Sequence, residues 1–195
     1  MLQNFTYALP LRDYSDHDLL QFYSLNGTGM GGLFVIAETG NQNPVLTAGR
    51  YTNTSVGAAY EGTTSLRYEN PRKVRLAGSG DNQYKVLGLM LFGTVETDGN
   101  GQRLILNPNL AKEIGCVYSG QTTPIASAGY FRLQFGASTG IPIPGFVGII
   151  HNTQPGKIAY VDSANVSDKS LIVCKVLSSS GSAFGGYADV QLTLG

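Results

Sequence analysis

The order of apolar and polar side chains along this chain predicts a protein built mainly from β-strands. Near the C-terminus, polar or aromatic residues alternate with four apolar ones, namely Ala188, Val190, Leu192 and Leu194. That period of two is typical of a strand with one buried and one exposed face. Residues 170–177 are apolar on both faces, which favours a central strand. Further strands are predicted over residues 32–38, 64–70, 84–97, 102–107, 128–136, 144–152 and 156–162.

Two turn sequences between these strands predict β-hairpins. Pro155 and Gly156 follow residues 144–152, and a Pro-Gly pair is a strong turn signal. The sequence DGNG at positions 98–101 separates two apolar runs, residues 84–97 and 102–107. An Asp-Gly pair between such runs is typical of a hairpin turn.

Helices are predicted to be few and short. Ser15 with Asp18 three residues later resembles a capping box, and residues 15–25 have an apolar side. Asn107 can cap a second helix that begins at Pro108 and ends before Gly115. The remaining short strands and turns predict a mainly β fold, an antiparallel β-sandwich or barrel with two short helices, in one or two β subdomains.

Gly27, Gly29 and Gly32 have the GxGxxG spacing of a dinucleotide-binding loop. That loop needs a strand before it, a helix after it and an acidic residue about 20 positions further on. Here the predicted helix comes first, and no Asp or Glu lies between Glu38 and Glu61. We therefore interpret the glycines as a mobile turn or as a place where another backbone comes close. The segment is expected to join the N-terminal helix to the first strand.

The remaining candidate residues form no catalytic or cofactor-binding pattern. His17 lies between two acidic residues of the predicted helix, and His151 ends a predicted strand, where a position at the rim is expected. Asp98 and Asn100 could offer oxygen atoms to calcium, but the rest of an EF-hand loop is missing and a hairpin turn explains them. We expect no catalytic residues, no cofactor and no metal ligands.

The two cysteines, Cys116 and Cys174, have no CxxC spacing and no histidine nearby in sequence. That spacing does not support a zinc site. A single disulfide is one interpretation, and two buried thiols are the one that we favour.

Composition favours association with other proteins. Charged residues make up 13% of the chain, against about 25% in an average globular protein, and the formal net charge is zero. Near-zero net charge promotes association.

No window reaches the roughly 20 apolar residues that a membrane-spanning helix needs, and the N-terminus lacks the basic region of a secretory signal. Neither a membrane nor an export signal is therefore expected.

One basic stretch stands out, with Arg67, Arg72, Lys73 and Arg75 around the single acid Glu69. Nucleic-acid binding normally requires a basic domain, and this chain is neutral. The four basic residues are therefore candidate contacts for an acidic surface of a protein partner. The alternative is a solvated edge strand that is guarded by its charges.

Residues 120–195 resemble the small β-barrel modules of tailed-phage head decoration proteins, also called capsid cement proteins. The resemblance is carried by a strand entry, a strand with a Lys-Val-Leu element and a closing strand. Their matching residues are Pro144, Gly145, Val147 and Gly148, then Lys175, Val176 and Leu177, then Gly186, Ala188, Val190 and Leu192. The chain adds more than a hundred residues before this module. We divide it into an N-terminal arm and short helix (1–26), a β-rich region (27–115) and the decoration-like module (116–195).

The resemblance implies a structural protein of the virion, made in the host cytoplasm and bound to the outer surface of a phage head. Its partners would be the major capsid protein and further copies of itself, most often as a homotrimer. Such proteins bridge neighbouring capsid subunits and stabilise the shell, without nucleic acid, membrane or catalysis. An arm over residues 1–12 could add contacts by strand augmentation.

A tail-fibre or adhesin domain that binds a host glycan or receptor is the alternative function. Tyr51, Tyr60 and Tyr118 are the candidate side chains for stacking on sugars. An enzyme is the third class, and the sequence offers no convergent acid–base set for it.

Overall fold

The computed structural model describes residues 8–11, 19–21, 23–25, 27–41, 72–95, 97, 100–101, 108–118, 121–134, 141–180 and 186–194. The fold is mainly β, with antiparallel sheets, one of them curled into half a barrel, and few helices, which confirms the predicted class. The described strands are β1 (Ala8–Pro10), β2 (Leu19–Leu20), β3 (Tyr23–Leu25), β4 (Phe34–Asn41), β5 (Arg72–Leu76), β6 (Val86–Met90), β7 (Gly93–Val95), β8 (Cys116–Tyr118), β9 (Ile125–Ala126), β10 (Tyr130–Gln134), β11 (Phe146–Ile150), β12 (Ile158–Asp162), β13 (Ile172–Ser179) and β14 (Tyr187–Leu192). The described helices are α1 (Pro108–Glu113) and two 3₁₀ turns, Ser163–Asn165 and Lys169–Leu171.

The described strands form two six-stranded sheets and a small third one. The first sheet has the order β1-β10-β14-β13-β11-β12, and every pair in it is antiparallel. The second sheet has the order β2-β9-β6-β4-β5-β3, with a parallel pair only between β3 and β5. The third sheet is the parallel pair β7 and β8.

One hydrophobic core joins the two large sheets. Phe34 and Leu89 of the second sheet belong to the same buried cluster as Phe131, Val173 and Val190 of the first. Burial of each such side chain contributes about 1.5–3 kcal/mol relative to exposure. The two sheets are therefore held together by side chains that neither could bury alone.

The second sheet is covered on both faces. Phe34 and Ile36 of β4 point into the shared core, whereas Val35 between them belongs to a separate buried cluster with Val74 and Met90. Alternating side chains of a strand point to opposite faces of its sheet. An apolar run without alternation, as in residues 33–36, is the consequence of two covered faces.

Several predicted elements are confirmed. The hairpin around Pro155 and Gly156 is the antiparallel pair of β11 and β12. Strand β13 lies inside the first sheet between β14 and β11. Strand β14 buries Ala188, Val190 and Leu192 on one face, as the alternation predicts. Helix α1 begins at Pro108.

The predicted first helix is wrong in the part that the structure describes. Within residues 15–25, the structure has the short strands β2 and β3 instead. Leu25 and Ser24 are buried, and β3 pairs with β5. Tertiary pairing therefore outweighs the local capping signal, because that signal contributes only about 1 kcal/mol. Residues 12–18 lie outside the described residues.

Other predictions are tested only in part. The predicted strand over residues 84–97 is divided into β6 and β7, which belong to different sheets. Residues 64–70 and 102–107 lie outside the described residues, so the hairpin at positions 98–101 stays a prediction.

The predicted division after residue 115 falls between α1 and β8, and β8 pairs with β7 across it. Strand β9 likewise pairs with β6 from the preceding region.

The described part of the N-terminal arm pairs with its own chain. Leu9 lies opposite Arg132, and the N–H of Leu11 donates to the carbonyl oxygen of Tyr130 at 2.9 Å. Along an edge strand, the backbone groups of successive residues point alternately toward the neighbouring strand and away from it. Since the N–H of Leu11 points toward β10, the backbone groups of Pro10 point away from the sheet. Proline has no N–H to offer there.

Gly156 at the tip of the β11–β12 hairpin is bonded to the second sheet. Its N–H donates to the carbonyl oxygen of Ala77 at 2.7 Å, and its own carbonyl oxygen accepts from the N–H of Phe34 at 2.8 Å. The N–H of Ala77 in turn donates to Phe34 at 2.9 Å. We call this three-residue arrangement the glycine clasp. Gly156 has φ of +77°, and an added Cβ would lie 3.0 Å from the Cβ of Leu33.

Replacing Gly156 by alanine should destabilise the fold. A left-handed backbone costs about 1–2 kcal/mol in a residue with a Cβ, and the close contact with Leu33 adds to that cost. We expect the free energy of unfolding to fall by about 2–3 kcal/mol, measured by urea denaturation. Gly80→Ala is the matched control, because Gly80 has φ of +82° and open space around it. Equal losses in both variants would contradict a structural role for the clasp.

Candidate functional site

The basic stretch does not form a single cluster of free charges. Arg75 donates through Nη1 to Asp81 Oδ2 at 3.2 Å and to the carbonyl oxygen of Leu76 at 3.0 Å. Asp81 also accepts from the N–H of Gly78 at 2.8 Å. Arg75 therefore stabilises the turn after β5.

The other predicted contact residues have different surroundings. Arg72 is exposed and Lys73 is half-buried at the start of β5, and Arg67 lies outside the described residues. Strand β5 lies between β4 and β3. The interpretation of this stretch as a guarded edge strand is therefore wrong for residues 72–74, which pair with β3 on one side.

Four exposed apolar residues belong to strand ends, or to the loop beside one, at the same end of the first sheet. Ile141 and Ile143 precede β11, Leu177 lies near the end of β13, and Tyr187 begins β14. Each of the four is between 38% and 53% exposed. The antiparallel pairings place the starts of β11 and β14 beside the end of β13. The N–H of Ser180 donates to the carbonyl oxygen of Tyr187 at 2.8 Å, and the N–H of Phe146 donates to that of Ile143 at 3.0 Å. We call these four residues the apolar end of the first sheet.

A polar cleft borders the apolar end. Its volume is about 180 Å³, and its lining includes Arg132, Ser178, Tyr187 and Asp189. Arg132 binds Asp189 through two parallel hydrogen bonds, Nε to Oδ1 at 2.7 Å and Nη2 to Oδ2 at 3.0 Å. A β-bulge after Val176 changes the register of β13 against β14, and Ser178 Oγ donates to Asp189 Oδ2 at 2.8 Å.

This pair is electrically balanced. The hydrogen bond from Arg132 lowers the pKa of Asp189, partial burial opposes that shift, and the hydrogen bond from Ser178 adds to it. The same hydrogen bond raises the pKa of Arg132. Both groups are therefore charged at neutral pH, and the cleft has no net charge from them.

The polar cleft and the apolar end together combine Arg132 and Tyr187 with exposed aliphatic side chains. Arginine and tyrosine beside exposed aliphatic side chains are typical of protein-binding hot spots.

The glycine motif has a structural role that was predicted in part. The expected joint between a helix and a strand is wrong, because β3 precedes the motif. A Cβ on Gly31, which lies inside the same segment, would be 2.7 Å from the carbonyl oxygen of Leu91. The alternative interpretation, a close approach of another backbone, is confirmed at the motif glycine Gly29, which forms an antiparallel bridge with Thr94. The N–H of Gly29 also donates to Thr94 O at 3.0 Å, and the N–H of Thr94 donates back at 2.7 Å.

Both cysteines are free and buried, which confirms two thiols rather than a disulfide. Complete burial raises the pKa of the Cys174 thiol to about 12. Burial also raises the pKa of Cys116, and a backbone hydrogen bond with Gly93 partly offsets that shift.

The remaining candidates are only partly described. His151 is half-buried at the end of the β11 strand, where its Nδ1 accepts from the N–H of Thr153 at 3.1 Å. His17, Asp98, Tyr51 and Tyr60 lie outside the described residues, as does the side chain of Tyr118. Within the described ranges, no group of three or more His, Cys, Asp or Glu could hold a metal ion. No helix among the described elements combines the length and the apolarity of a membrane span.

Sequence reasoning missed the apolar end. The sequence IPIPG at positions 141–145 contains the available signal, because each isoleucine is followed by a proline and proline disfavours a central strand that would bury both side chains. The contributions of Leu177 and Tyr187 depend on strand order, which the sequence does not show.

Comparisons with protein-family models, with curated proteins and with solved structures find no match for this chain. A functional proposal therefore depends on the surface described above and on the sequence resemblance.

The Arg132–Asp189 pair should make stability depend on acidity. The pKa of Asp189 is below its ordinary value of 3.8 in the folded protein. Its contribution is therefore fully present above about pH 4 and is lost as the pH falls through the folded-state pKa. Asp189→Asn should be less stable than the wild type at pH 7, and the difference should shrink below pH 4 in chemical denaturation. Arg132→Ala should cause a loss that is not additive with it, and full additivity would contradict the coupling.

Proposed function

We propose that this protein is a virion structural protein that decorates the outer surface of a phage head and stabilises contacts between major capsid subunits. The single observation that carries the proposal is the apolar end of the first sheet. Decoration requires a binding surface rather than a reaction centre, and exposed apolar patches mark such surfaces. In this proposal the protein is not an enzyme, and its copies associate as trimers on the shell.

The resemblance and the fold support the same proposal. The three segments that resemble decoration proteins are separated in sequence, yet they include β11, β13 and β14, which are neighbours in the first sheet. The apolar end is built from the ends of these three strands and from the loop before β11. The resembling segments are therefore also the ones that present the exposed side chains.

The mechanism is stabilisation by shared burial. If Ile141, Ile143 and Leu177 are buried against two capsid subunits at once, release of either subunit exposes that apolar surface to water. Because the decorating protein binds only the assembled surface, its binding raises the free energy of shell disassembly by mass action. The Arg132–Asp189 pair at the border would orient the contact, as charged groups at an interface rim do.

Replacing both isoleucines by aspartate should remove the protein from capsids. Buried anchor residues of an interface cost about 2 kcal/mol or more when they are truncated, so Ile141→Asp with Ile143→Asp should weaken binding at least tenfold, the equivalent of about 1.4 kcal/mol. Occupancy is measured by co-sedimentation of the protein with phage heads. Tyr84→Asp is the matched control, because Tyr84 is 71% exposed and precedes β6 of the other sheet. Equal occupancy of the double variant and wild type would overturn the apolar end as the docking surface.

The basic pair Arg72 and Lys73 remains a proposed contact at the rim. Arg72→Glu with Lys73→Glu should lower capsid occupancy at low salt and less at high salt, because rim charges act mainly through screened attraction. Lys85→Glu with Lys157→Glu makes the same change of charge at two other exposed positions. If both double variants bind like the wild type, the basic pair is not part of the contact.

A glycan-binding tail-fibre or adhesin domain is the second candidate, and the polar cleft favours it. Asp189, Arg132 and Ser178 offer acceptors and donors without net charge, which suits the hydroxyl groups of a neutral sugar, and Tyr187 offers an aromatic face. Electron microscopy of particles carrying labelled protein separates the two functions. Label over the whole head supports decoration, whereas label only at the tail tip overturns it and supports the adhesin.

A further inference from the structure

A small apolar pocket lies where the glycine motif meets the third sheet. Its volume is about 160 Å³, and its lining includes the side chains of Met30, Phe92, Val95, Ile114 and Cys116. It lies apart from the polar cleft and shares no lining residue with it.

Glycines create this space. Gly29, Gly31, Gly93 and Gly115 all contribute to the pocket wall. A Cβ on Gly93 would lie 3.2 Å from Cys116 Sγ and 3.2 Å from the carbonyl oxygen of Gly29. A side chain at Gly93 would crowd these neighbours, and the larger residues around the glycines line a partly open pocket instead of filling it.

Several polar groups of the wall already bind each other or their neighbours. Gly29 and Thr94 exchange two backbone hydrogen bonds, and the N–H of Gly93 donates to the carbonyl oxygen of Gly115 at 3.0 Å. Cys116 Sγ donates to the carbonyl oxygen of Ile114 at 3.5 Å. A polar molecule entering the pocket would lose hydrogen bonds to water and find these groups occupied, which is unfavourable.

We propose that this pocket binds a single uncharged aromatic ring. An apolar cavity of about 150 Å³ is large enough to hold benzene, so the volume of this pocket accommodates one ring. Phe92 lines the pocket and is 44% exposed, which leaves its ring available for an edge or offset contact with the ligand. The ring can come from a free small molecule or from an aromatic side chain of another protein.

The direct test uses benzene as the probe and methyl NMR as the readout. Titration with benzene should produce saturable shifts at the methyl groups of Met30, Val95 and Ile114, and none at Val173 in the shared core. Pyrazine, a ring of similar size with two polar nitrogen atoms, should bind more weakly. The absence of saturable shifts at the lining methyl groups, or equal shifts at Val173, would overturn the proposal.

The two cysteines provide an independent readout in the wild-type protein. Cys116 lines the pocket and Cys174 is fully buried elsewhere, so methyl methanethiosulfonate should modify Cys116 first. Benzene at twice its dissociation constant should slow that modification about threefold by occupying the pocket. An unchanged rate at that concentration would contradict binding at this site.

Variants distinguish the site from general apolar partitioning. Val95→Phe should abolish the benzene-dependent shifts by placing a ring in the pocket. Val161→Phe is its matched control, because Val161 is also a half-buried strand residue but does not line the pocket. If Val95→Phe does not fold, protection of Cys116 in the wild type still decides the question.

Competition identifies the source of the ring. If saturating benzene displaces the protein from phage heads, the natural occupant is an aromatic side chain of the capsid. If binding to heads is unaffected while the NMR shifts saturate, the occupant is a free molecule. The proposal does not depend on decoration, because the NMR and modification tests use the isolated protein.

Discussion

The relative position of the two large sheets depends on the glycine clasp. Side-chain burial between the sheets is non-directional, so it favours contact without fixing one arrangement. The hydrogen bonds among Gly156, Ala77 and Phe34 are directional, and they join the β11–β12 hairpin to the second sheet at one register. The clasp holds the turn of this hairpin, and Ile143 lies just before the opposite end, where β11 begins. The clasp and the proposed docking surface are therefore connected through strand β11.

The fold was predictable where a strand has one face in the core. Strand β14 alternates because only one of its faces is buried, and the Pro-Gly turn needed no tertiary information. Prediction failed for residues 19–20 and 23–25, because their apolar pattern matches a helix locally and only pairing with β9 and β5 makes them strands. A parallel pair such as β3 and β5 leaves no turn signal, since its partners are distant in sequence.

The candidate site was less predictable than the fold for a related reason. The basic stretch was visible as a run of charges, but its Arg75 is bound to an aspartate six residues later. The apolar end is assembled from three strand ends and a loop, and no local pattern joins Ile143 to Tyr187. The glycine motif was separated from a dinucleotide-binding loop by the order of elements around it, and the strand expected after the motif is present as β4. The pocket beside the motif could not be predicted from the sequence, because its wall includes residues of the third sheet. The two strands of that sheet also form a parallel pair, which leaves no turn signal.

The outward position of Pro10 limits how copies of this protein can assemble. An open edge of a sheet can template another strand, and repetition of that event leads to fibres. At this edge the strand lacks a donor at the position that a second copy would need. Among the described strands β1 is the edge of the first sheet, so Pro10 removes one of the donors that a continuous hydrogen-bonded sheet between two copies would use there.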